Sequence, residues 1–464
     1  MAVNAYVWHL KDVSALIVQN RSSTVSIFLL SVVFTKADEI TNEIYSQKVA
    51  VPGSQTGYDQ CSRLTNNMTI KIVGSNVVLD SKITVENLDN IAIIGHGTST
   101  VNCIGIGAIN FISCNNVTIT GIDWERDHGA AVQYTADGTT HTQIKLVINS
   151  CNFSYNGVAK SVIFIDGSGN RQLQYSYLQN SLFVGNEGVP VYLSHHKLHI
   201  RGDVLFKQNT VIAGGGIFSS RSIVEFKDSS NVIFYNNSAN TSGGAIFLNN
   251  SRIYFGEISV VNFVNNIATS YGGAVFSISK SATLFDRNTV VIFQSNATST
   301  SGGALYFENS NMLFAVNSTV TFNHNTATFG GGAVFSTRYS EILFDGNATV
   351  SFIDNDASEG GAVEFYNHCR ITFKGNSNVT FSHNSATYGG AVYSRSYSEI
   401  LFDGNTTVEY KGNHANKNGG ALNCFENCSI TFDGNSKVSF SDNKARFGGA
   451  MCSRSQYYLM ETHQ

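Results

Sequence analysis

Short apolar runs recur along most of the chain, and glycine, asparagine or aspartate residues separate them. Val350 and Phe352 flank a serine, while Ile342 and Phe344 flank a leucine. Because successive side chains of a β-strand point to opposite faces, each run presents two apolar side chains on one face. The sequence has no long stretch with apolar residues at helical spacing. The pattern therefore predicts an almost entirely β protein made of short strands.

The strongest regularity is a repeat of 29 or 30 residues. A Gly-Gly-x-aliphatic motif opens each repeat, and two further strand-like runs follow before the next motif. One repeat thus contains three predicted strands and three turns. The first glycines of the pairs are Gly214, Gly243, Gly272, Gly302, Gly331, Gly360, Gly389, Gly419 and Gly448.

Alignment of the repeats indicates which side chains face inward. The second residue after each glycine pair is always apolar, so we expect an inward column: Ile246, Val275, Leu305, Val334, Val363, Val392, Leu422 and Met451. The next column admits Glu364 and Asn423, so we expect it to face outward. The other two strands contribute an inward phenylalanine stack: Phe322, Phe344, Phe352, Phe373, Phe381, Phe402, Phe432 and Phe440.

A unit of three one-faced strands cannot bury its phenylalanines alone, because a flat sheet would leave many of them in water. Coiling each repeat into one turn of a parallel β-helix solves this, since neighbouring coils then pair at about 4.8 Å. The sequence therefore predicts an all-β fold. We expect a right-handed single-stranded parallel β-helix, a solenoid with three short strands per coil of 29–30 residues.

Two kinds of turn residue repeat with the coils. Glycine pairs mark sharp bends where no Cβ fits if the backbone approaches the neighbouring coil. These structural glycines are Gly243, Gly244, Gly272, Gly273, Gly302, Gly303, Gly331, Gly332, Gly360, Gly361, Gly389, Gly390, Gly419, Gly420, Gly448 and Gly449. At another bend we expect an asparagine ladder, because an amide can bond to its copies in adjacent coils. Its members are Asn237, Asn266, Asn296, Asn325, Asn355, Asn384, Asn413 and Asn443.

These motifs resemble the repeat of the polymorphic outer-membrane protein family, whose signature is Gly-Gly-Ala-Ile/Leu/Val together with Phe-x-x-Asn. They appear here as Gly331–Gly332–Ala333–Val334 and as Phe322-x-x-Asn325. The resemblance covers roughly residues 206–464. It implies a pectin-lyase-like β-helix with a surface-exposed adhesive role. Bacterial members use a C-terminal run of amphipathic strands for export, and this sequence departs from them in showing no such run.

The expected domain order has four parts: a signal-peptide-like segment at 1–37, an N-terminal cap at 38–66, irregular coils at 67–205 and regular coils at 206–464. The first part holds the apolar run VSIFLLSVVF behind Arg21 and ahead of Ala37, which is too short for a membrane span and matches a secretory signal. Because the sequence stops one strand after a glycine pair, we expect a truncated C-terminus.

Composition and charge limit the partners. Charged residues are 13% of the chain, the net charge is −4 and no basic block occurs, so we do not expect nucleic acid to bind. Asn-x-Ser/Thr triplets at Asn236, Asn296 and Asn347, among others, fit a secreted glycoprotein, but an Asn-, Ser- and Thr-rich chain also forms them by chance. We expect a secreted or cell-surface location, with the bacterial envelope or outer membrane as the alternative.

Candidate catalytic groups are isolated. Gly95–His96–Gly97 is similar to the Gly-His-Gly of polygalacturonases, but the paired acids that precede that motif there are missing. The acids of the Phe-Asp-Gly-Asn turns are interrupted by Lys374, which argues against a calcium site. His324 and His383 share a turn column two coils apart, too far to bind one ion, and His195–His196 is expected to be solvated. We predict no catalytic residue, no metal and no cofactor.

Arg201–Gly202–Asp203 is a candidate cell-binding tripeptide of the kind that integrins bind, although it lies between two strand-like runs. The eight cysteines lack zinc-binding spacing. Cys103 could pair with Cys114 or Cys151, whereas Cys369 and Cys428 are separated by the coil of Ser398, and Cys424 and Cys452 are expected to face opposite ways.

The sequence thus predicts a secreted or cell-surface structural or adhesive β-helix without catalytic activity. Its expected partner is an extracellular glycan or protein, and no membrane span is expected. Two alternatives stay open. One is a carbohydrate-active enzyme of the pectin-lyase-like fold, and the other is the passenger domain of a bacterial surface autotransporter.

Overall fold

A computed structural model describes residues 66–453, apart from 74–76, 80–81, 97–98, 104–107, 126–129, 137–144, 158–160, 170–173, 228, 257, 287 and 316, together with five short strands outside that range. Those strands are Tyr6–Leu10, Val13–Ile17, Val32–Val33, Ile40–Tyr45 and Tyr458–Leu459. Apart from the strands, the predicted signal-peptide-like segment and cap lie outside the described residues. The chain divides into two compact units, Met1–His199 and Ile200–Gln464, with the boundary inside strand His196–Arg201.

The second unit is built from three parallel sheets, which we name A, B and C in the order that the chain enters them after a glycine pair. Sheet A consists of Ile217–Ser220, Ile246–Asn249, Val275–Ile278, Leu305–Glu308, Val334–Thr337, Val363–Tyr366, Val392–Arg395, Leu422–Phe425 and Met451–Ser453. Sheet B consists of Ile223–Phe226, Arg252–Phe255, Ala282–Phe285, Asn311–Phe314, Glu341–Phe344, Arg370–Phe373, Glu399–Phe402, Ser429–Phe432 and Tyr458–Leu459. Sheet C consists of Asp203–Lys207, Asn231–Tyr235, Val260–Val264, Val290–Gln294, Thr319–Asn323, Thr349–Ile353, Asn378–Ser382, Thr407–Lys411 and Lys437–Ser441.

Short strands between sheet C and the next glycine pair form two minor parallel sheets. The first consists of Thr210–Val211, Ser238–Ala239, Ile267–Ala268, Ala297–Thr298 and Thr326–Ala327. The second consists of Ser385–Tyr388, His414–Asn418 and Lys444–Phe447. In these minor strands the backbone of each coil is also paired with its neighbours.

The first unit has the same kind of architecture. One parallel set consists of Lys82–Glu86, Ala108–Ile112, Val132–Thr135, Ser161–Asp166 and Val189–Ser194. A second consists of Ile40–Tyr45, Met68–Val73, Asp89–His96, Asn115–Thr120, Leu146–Asn149 and Gln174–Gln179. A third consists of Val77–Leu79, Thr100–Cys103, Asp123–Glu125, Asn152–Ser154 and Leu182–Val184. Tyr6–Leu10, Val13–Ile17 and Val32–Val33 pair antiparallel.

The predicted fold class is confirmed: the protein is all-β, and strands of successive coils pair in parallel as a right-handed β-helix. Val350, for example, is in register with Val320 before it and Val379 after it. No helix occurs among the described residues.

Two ladders of aromatic rings fill the core of the second unit. Phe322 of sheet C stacks on Phe352 with ring centroids 4.7 Å apart, and Phe314 of sheet B stacks on Phe344 at the same distance. The ladders meet edge to face, as Phe314 does with Phe322 at 86°. Offset-stacked and edge-to-face pairs add to the apolar burial of each ring. The core therefore repeats with every coil.

The inward column of sheet A alternates small and large side chains. In coil order it reads Ser219, Leu248, Ser277, Phe307, Ser336, Phe365, Ser394 and Cys424. All eight are buried. A serine leaves space above and below it that the large side chain of the next coil occupies, which keeps the core dense without overpacking.

The Glu364 column of sheet A points away from the core, as the sequence predicts, but a neighbouring turn buries it. Phe276, Tyr306, Phe335, Glu364 and Tyr393 are at most 8% exposed. The segment before each glycine pair covers them. A Cβ on Gly330, for instance, would collide with the carboxylate of Glu364. Sequence columns distinguish inside from outside, but they do not show which outer side chains a neighbouring turn covers.

Candidate binding surface on the outer face of sheet A

The asparagines of the predicted ladder bond from coil to coil. The Nδ2 of Asn384 donates to Oδ1 of Asn413 at 2.9 Å and to the carbonyl oxygen of Phe352 at 3.0 Å. Its Oδ1 accepts from the backbone N–H of Asn355 at 3.0 Å. Equivalent amide-to-amide bonds link Asn237, Asn266, Asn296, Asn325, Asn355, Asn384, Asn413 and Asn443. Because these bonds use the amides within the protein, the ladder supports the turn and offers nothing to a ligand.

The second glycine of each pair lies against the next coil. A Cβ on Gly361 would sit 2.2 Å from the carbonyl oxygen of Gly390 and 2.5 Å from that of Ser385. The first glycine of each pair has a positive φ, for example 59° at Gly360. Both features require glycine, since one leaves no room for a side chain and the other strains an L-residue.

A serine ladder lies in the turn between sheets A and B, and sequence reasoning missed it. The backbone N–H of Ser222 donates to Oγ of Ser251 at 3.1 Å, and that of Ser251 donates to Oγ of Ser281 at 3.0 Å. The same bond joins Ser310 to Ser340. The available signal was that serine stands one residue before six strands of sheet B, at Ser222, Ser251, Ser281, Ser310, Ser340 and Ser398. This ladder is also buried, so it too is structural.

Arg201–Gly202–Asp203 does not form a protruding loop. Gly202, with a φ of 62°, is the single residue between strands His196–Arg201 and Asp203–Lys207. Its carbonyl oxygen accepts the backbone N–H of Asn231 at 3.0 Å, and the carboxylate of Asp203 accepts from Nδ2 of Asn231 at 3.1 Å. The tripeptide is thus held flat against the next coil.

A cluster of charged and aromatic side chains lies on the outer face of sheet A, and we call Glu359, Glu364, Tyr366, Tyr393 and Arg395 the charged cluster. The Arg395 guanidinium lies 3.2 Å from Glu359 and 3.0 Å from Glu364. It also lies over the ring of Tyr366, 4.5 Å from the centroid. Arg395 and Glu359 are about 30% and 27% exposed at their side chains, whereas Glu364 is 1% exposed.

Burial sets the protonation of this cluster. Burial raises the pKa of Glu364 to about 8, although the positive charge of Arg395 lowers it. The neighbouring Glu359 raises this pKa further. Burial also raises the pKa of Tyr393 to about 12. Arg395 therefore faces two carboxyl groups, of which the more buried holds a proton at neutral pH.

Three exposed rings stack in the turn between sheets A and B, and we call Tyr339, His368 and Tyr397 the turn column. The centroid of His368 lies 5.0 Å from Tyr339 and 5.1 Å from Tyr397, with nearly parallel rings. Tyr339 is 70% exposed and Tyr397 is 60% exposed. All three residues have left-handed backbone, with φ values of 63°, 59° and 63°. These three rings share one position of the repeat, so the sequence indicates that they are neighbours.

Bulky residues rarely adopt positive φ, and each costs about 1–2 kcal/mol relative to glycine. Such residues are also seldom left exposed as a contiguous aromatic set. The flanks are charged: Arg338 pairs with Glu308, and Ser396 donates to Glu426 at 3.0 Å. The same left-handed backbone occurs in this turn of other coils, for example at Lys280 and Asn427, so it belongs to the repeat. The turn column is distinguished by its exposed rings and charged flanks, which are properties of a recognition surface.

The remaining candidate groups do not form a reactive site. His196, expected in solvent, is 0% exposed, and its Nε2 lies 2.8 Å from Oγ of Ser176. Burial lowers its pKa to about 3. His324, His383 and His414 are exposed. In the described part of the chain, no three His, Cys, Asp or Glu side chains are placed to hold a metal ion.

At the Gly-His-Gly motif, Gly95 is required by close approach to the backbone of Gly121, where a Cβ would lie 1.9 Å from the carbonyl oxygen. Gly97 lies outside the described residues. Gly95 therefore has a structural explanation that involves no substrate.

The cysteines pair differently from any combination considered from the sequence. Cys424 and Cys428 form a disulfide across the turn between sheets A and B, with Cα atoms 5.8 Å apart. Cys114 and Cys151 are free and buried, and the side chain of Cys103, their predicted partner, lies outside the described residues. Burial raises the pKa of the Cys151 thiol to about 12, which suppresses its reactivity.

The fold and repeat define the class: a right-handed parallel β-helix whose coils carry Gly-Gly-x-aliphatic and Phe-x-x-Asn motifs. Residues 231–249, 319–337 and 378–395 match the family model of the Chlamydia polymorphic membrane protein repeat, which confirms the resemblance seen in the sequence. No curated protein matches the chain in sequence.

A solved structure of a PL6 family alginate lyase, AlyGC, aligns over 87% of this chain and 99% of that chain, with 8% identity and a TM-score of 0.16. A similarity this low carries no argument about activity. Within the described residues, no helix is both long and apolar enough to cross a membrane.

Proposed function

We propose that the chain is a secreted or cell-surface adhesive protein without catalytic activity, and that its partner is an extracellular glycan or protein. The observation that carries this proposal is the turn column. Tyr339 and Tyr397 are mostly exposed on strained backbone, and His368 holds them in a fixed stack. A preorganised aromatic surface loses little conformational entropy on binding, and tyrosine is enriched where interfaces are strongest.

The test uses beads coated with the purified full chain and scored for attachment to cell monolayers and extracellular-matrix preparations. Y339A/Y397A should reduce attachment about tenfold, the loss of one to two kcal/mol that truncation of an anchoring ring causes. Tyr155→Ala is the matched control, because Tyr155 is 66% exposed with a φ of 54° and lies outside the turn column. Attachment no better than that of albumin-coated beads would reject the adhesive role.

The repeat match supports the cell-surface location, because the matched family is described as a membrane protein repeat. The passenger domain of a bacterial surface autotransporter is one form of this proposal. Brief protease treatment of intact producing cells should remove the chain from the cells if they display it, while a cytoplasmic marker stays intact. A chain that survives until the cells are lysed would contradict surface display.

A carbohydrate-active enzyme is the second candidate, and Glu359 and Glu364 of the charged cluster are the acids it would have to use. Glycosidases hold two carboxyl groups about 5–9.5 Å apart, with the sugar between them. Glu364 is 1% exposed and is covered by the turn of Gly330, so it would reach a sugar only if that turn moved away. Incubation with pectin, alginate and xylan should release no reducing or unsaturated ends if the chain is purely adhesive. Release that disappears in both Glu364→Gln and Glu359→Gln would establish the enzyme instead.

A further inference from the structure

A groove of about 460 Å³ crosses the outside of five successive coils, just after the asparagine ladder. Its floor is formed by Ala327, Ala357 and Ala386, whose methyl groups are nearly buried. The floor residue of each coil lies two positions after a ladder asparagine, so the ladder fixes its place. The groove therefore has a base of small residues that repeats once per coil.

Two rows of polar side chains border this floor. One row precedes the alanines and the other follows them: Thr326, Asp356 and Ser385, then Thr328, Ser358 and Thr387. Among the described residues, none of these six side chains has a hydrogen-bond partner in the protein, in contrast with the buried asparagine and serine ladders. Their hydroxyl and carboxylate groups are free to bond to a ligand.

The chemistry of the lining restricts the ligand. No lysine or arginine lines the groove, and Asp356 is exposed within it, so a polyanion would meet repulsion without a compensating cation. An extended peptide would need an unpaired strand edge, but the backbone here is bonded to the coils on both sides, as Thr326 is to Ala297 and Asp356. An uncharged ligand with many hydroxyl groups fits best.

We propose that this groove binds a neutral, extended polysaccharide that lies along the stack of coils. The hydroxyl groups of a pyranose can bond to both polar rows, and the small residues of the floor leave room for the ring between those rows. Coils repeat at about 4.8 Å, close to the length of one sugar unit, so successive units meet equivalent groups. The proposal adds a partner class to the adhesive function, and it uses residues that are not part of the turn column.

The test is affinity electrophoresis of the full chain in native gels that contain hydroxyethyl cellulose, xyloglucan or galactomannan, with polygalacturonate and alginate as charged comparisons. At least one neutral polymer should retard the wild type, while the charged polymers should not. The variant T328V/S358A/T387V removes one hydroxyl row and should weaken retardation about tenfold. The matched control T319V/T349V/T407V removes exposed threonines from sheet C and should change it less than about twofold.

Ser358→Trp fills the groove and should abolish retardation by the neutral polymer. Melting temperatures equal to that of the wild type would show that each variant is folded. Asp356→Asn should leave neutral binding intact and allow polygalacturonate to bind. The proposal is overturned if no neutral polymer retards the wild type, if both triple variants lose retardation equally, or if folded S358W still binds. Y339A/Y397A should keep polysaccharide binding, so a failure here is distinct from a failure of bead attachment.

Discussion

The guanidinium of Arg395 lies 3.0 Å from the carboxylate of Glu364, a side chain only 1% exposed on the outer face of sheet A. Glu364 takes the place of an aromatic ring between Phe335 and Tyr393 in neighbouring coils. A buried carboxyl group is tolerated when it has a polar partner and is costly once that partner is removed. This pair therefore controls the stability of the coils around it.

Arg395→Met should lower the free energy of unfolding by about 1–3 kcal/mol, because it leaves a buried carboxyl group without its main partner. Glu364→Phe should be neutral or stabilising, since it continues the aromatic column. The double variant E364F/R395M should recover the loss. Urea denaturation followed by circular dichroism measures all three. An R395M chain as stable as the wild type would contradict the argument.

The contribution of Glu364 to stability should fall as pH rises from about 4.5 to about 8. Burial raises the pKa of Glu364 to about 8 in the folded chain, against 4.5 for an unperturbed glutamate. Between those values the folded chain holds a proton that the unfolded chain has released, so higher pH favours unfolding. Melting temperatures of the wild type and E364Q, compared across this window, should converge at low pH and diverge at high pH. Parallel curves would count against the raised pKa.

His196 should make the first unit sensitive to acid. Burial lowers its pKa to about 3, against 6.5 for an unperturbed histidine. Below pH 6.5 the unfolded chain binds a proton that the folded chain does not, so stability decreases as pH falls toward about 3. His196→Gln should reduce this dependence, because glutamine does not titrate. Melting curves of the wild type and H196Q between pH 7 and pH 4 measure this difference. H383Q, which changes an exposed histidine, is the control and should keep the pH dependence of the wild type.

Asn355→Ala should destabilise far more than Asn347→Ala. Asn355 is 0% exposed and its Nδ2 bonds to Asn384 at 2.9 Å and to the carbonyl oxygen of Phe322 at 3.1 Å. Its loss leaves buried groups unsatisfied, at a cost of at least about 2 kcal/mol. Asn347 is exposed and bonds to Asn317 at 3.2 Å, so its loss should cost about 0.5 kcal/mol or less. Denaturation midpoints that fall equally for both variants would exclude a special role for the buried ladder.

Gly361→Ala should prevent normal packing of its coil, since the new Cβ would sit 2.2 Å from the carbonyl oxygen of Gly390. Gly256→Ala is the matched control, because the nearest atom would be 3.6 Å away. We expect G361A to lose soluble yield or melt well below the wild type, and G256A to match it. Wild-type melting of G361A would show that the coils can separate at low cost.

The fold could be predicted because every coil repeats one inside–outside alternation, so that Val350 and Phe352 have equivalents in each neighbour. Burial of Glu364 could not be predicted in this way, because Gly330 of another coil covers it. His196 lies in the less regular first unit, where no clear column showed its direction. The Cys424–Cys428 disulfide closes a turn within one coil, so the alignment of cysteines between coils does not predict it.

The turn column is an intermediate case. The common repeat position of Tyr339, His368 and Tyr397 can be read from the sequence, which is enough to predict that the rings are neighbours. Their exposure and left-handed backbone depend on how tightly the chain turns between sheets A and B. The conformation of this turn is known only from the structure.

The alternation of serine with leucine or phenylalanine inside sheet A makes adjacent coils non-equivalent, while coils two steps apart are interchangeable. Removing the coil of Ser336 would set Phe307 directly against Phe365, and removing that of Phe365 would leave a void between two serines. Loss or duplication of two coils together preserves the fit. We therefore expect length variants of this protein to differ by even numbers of coils. The unit that is gained or lost in evolution would then be a pair of coils.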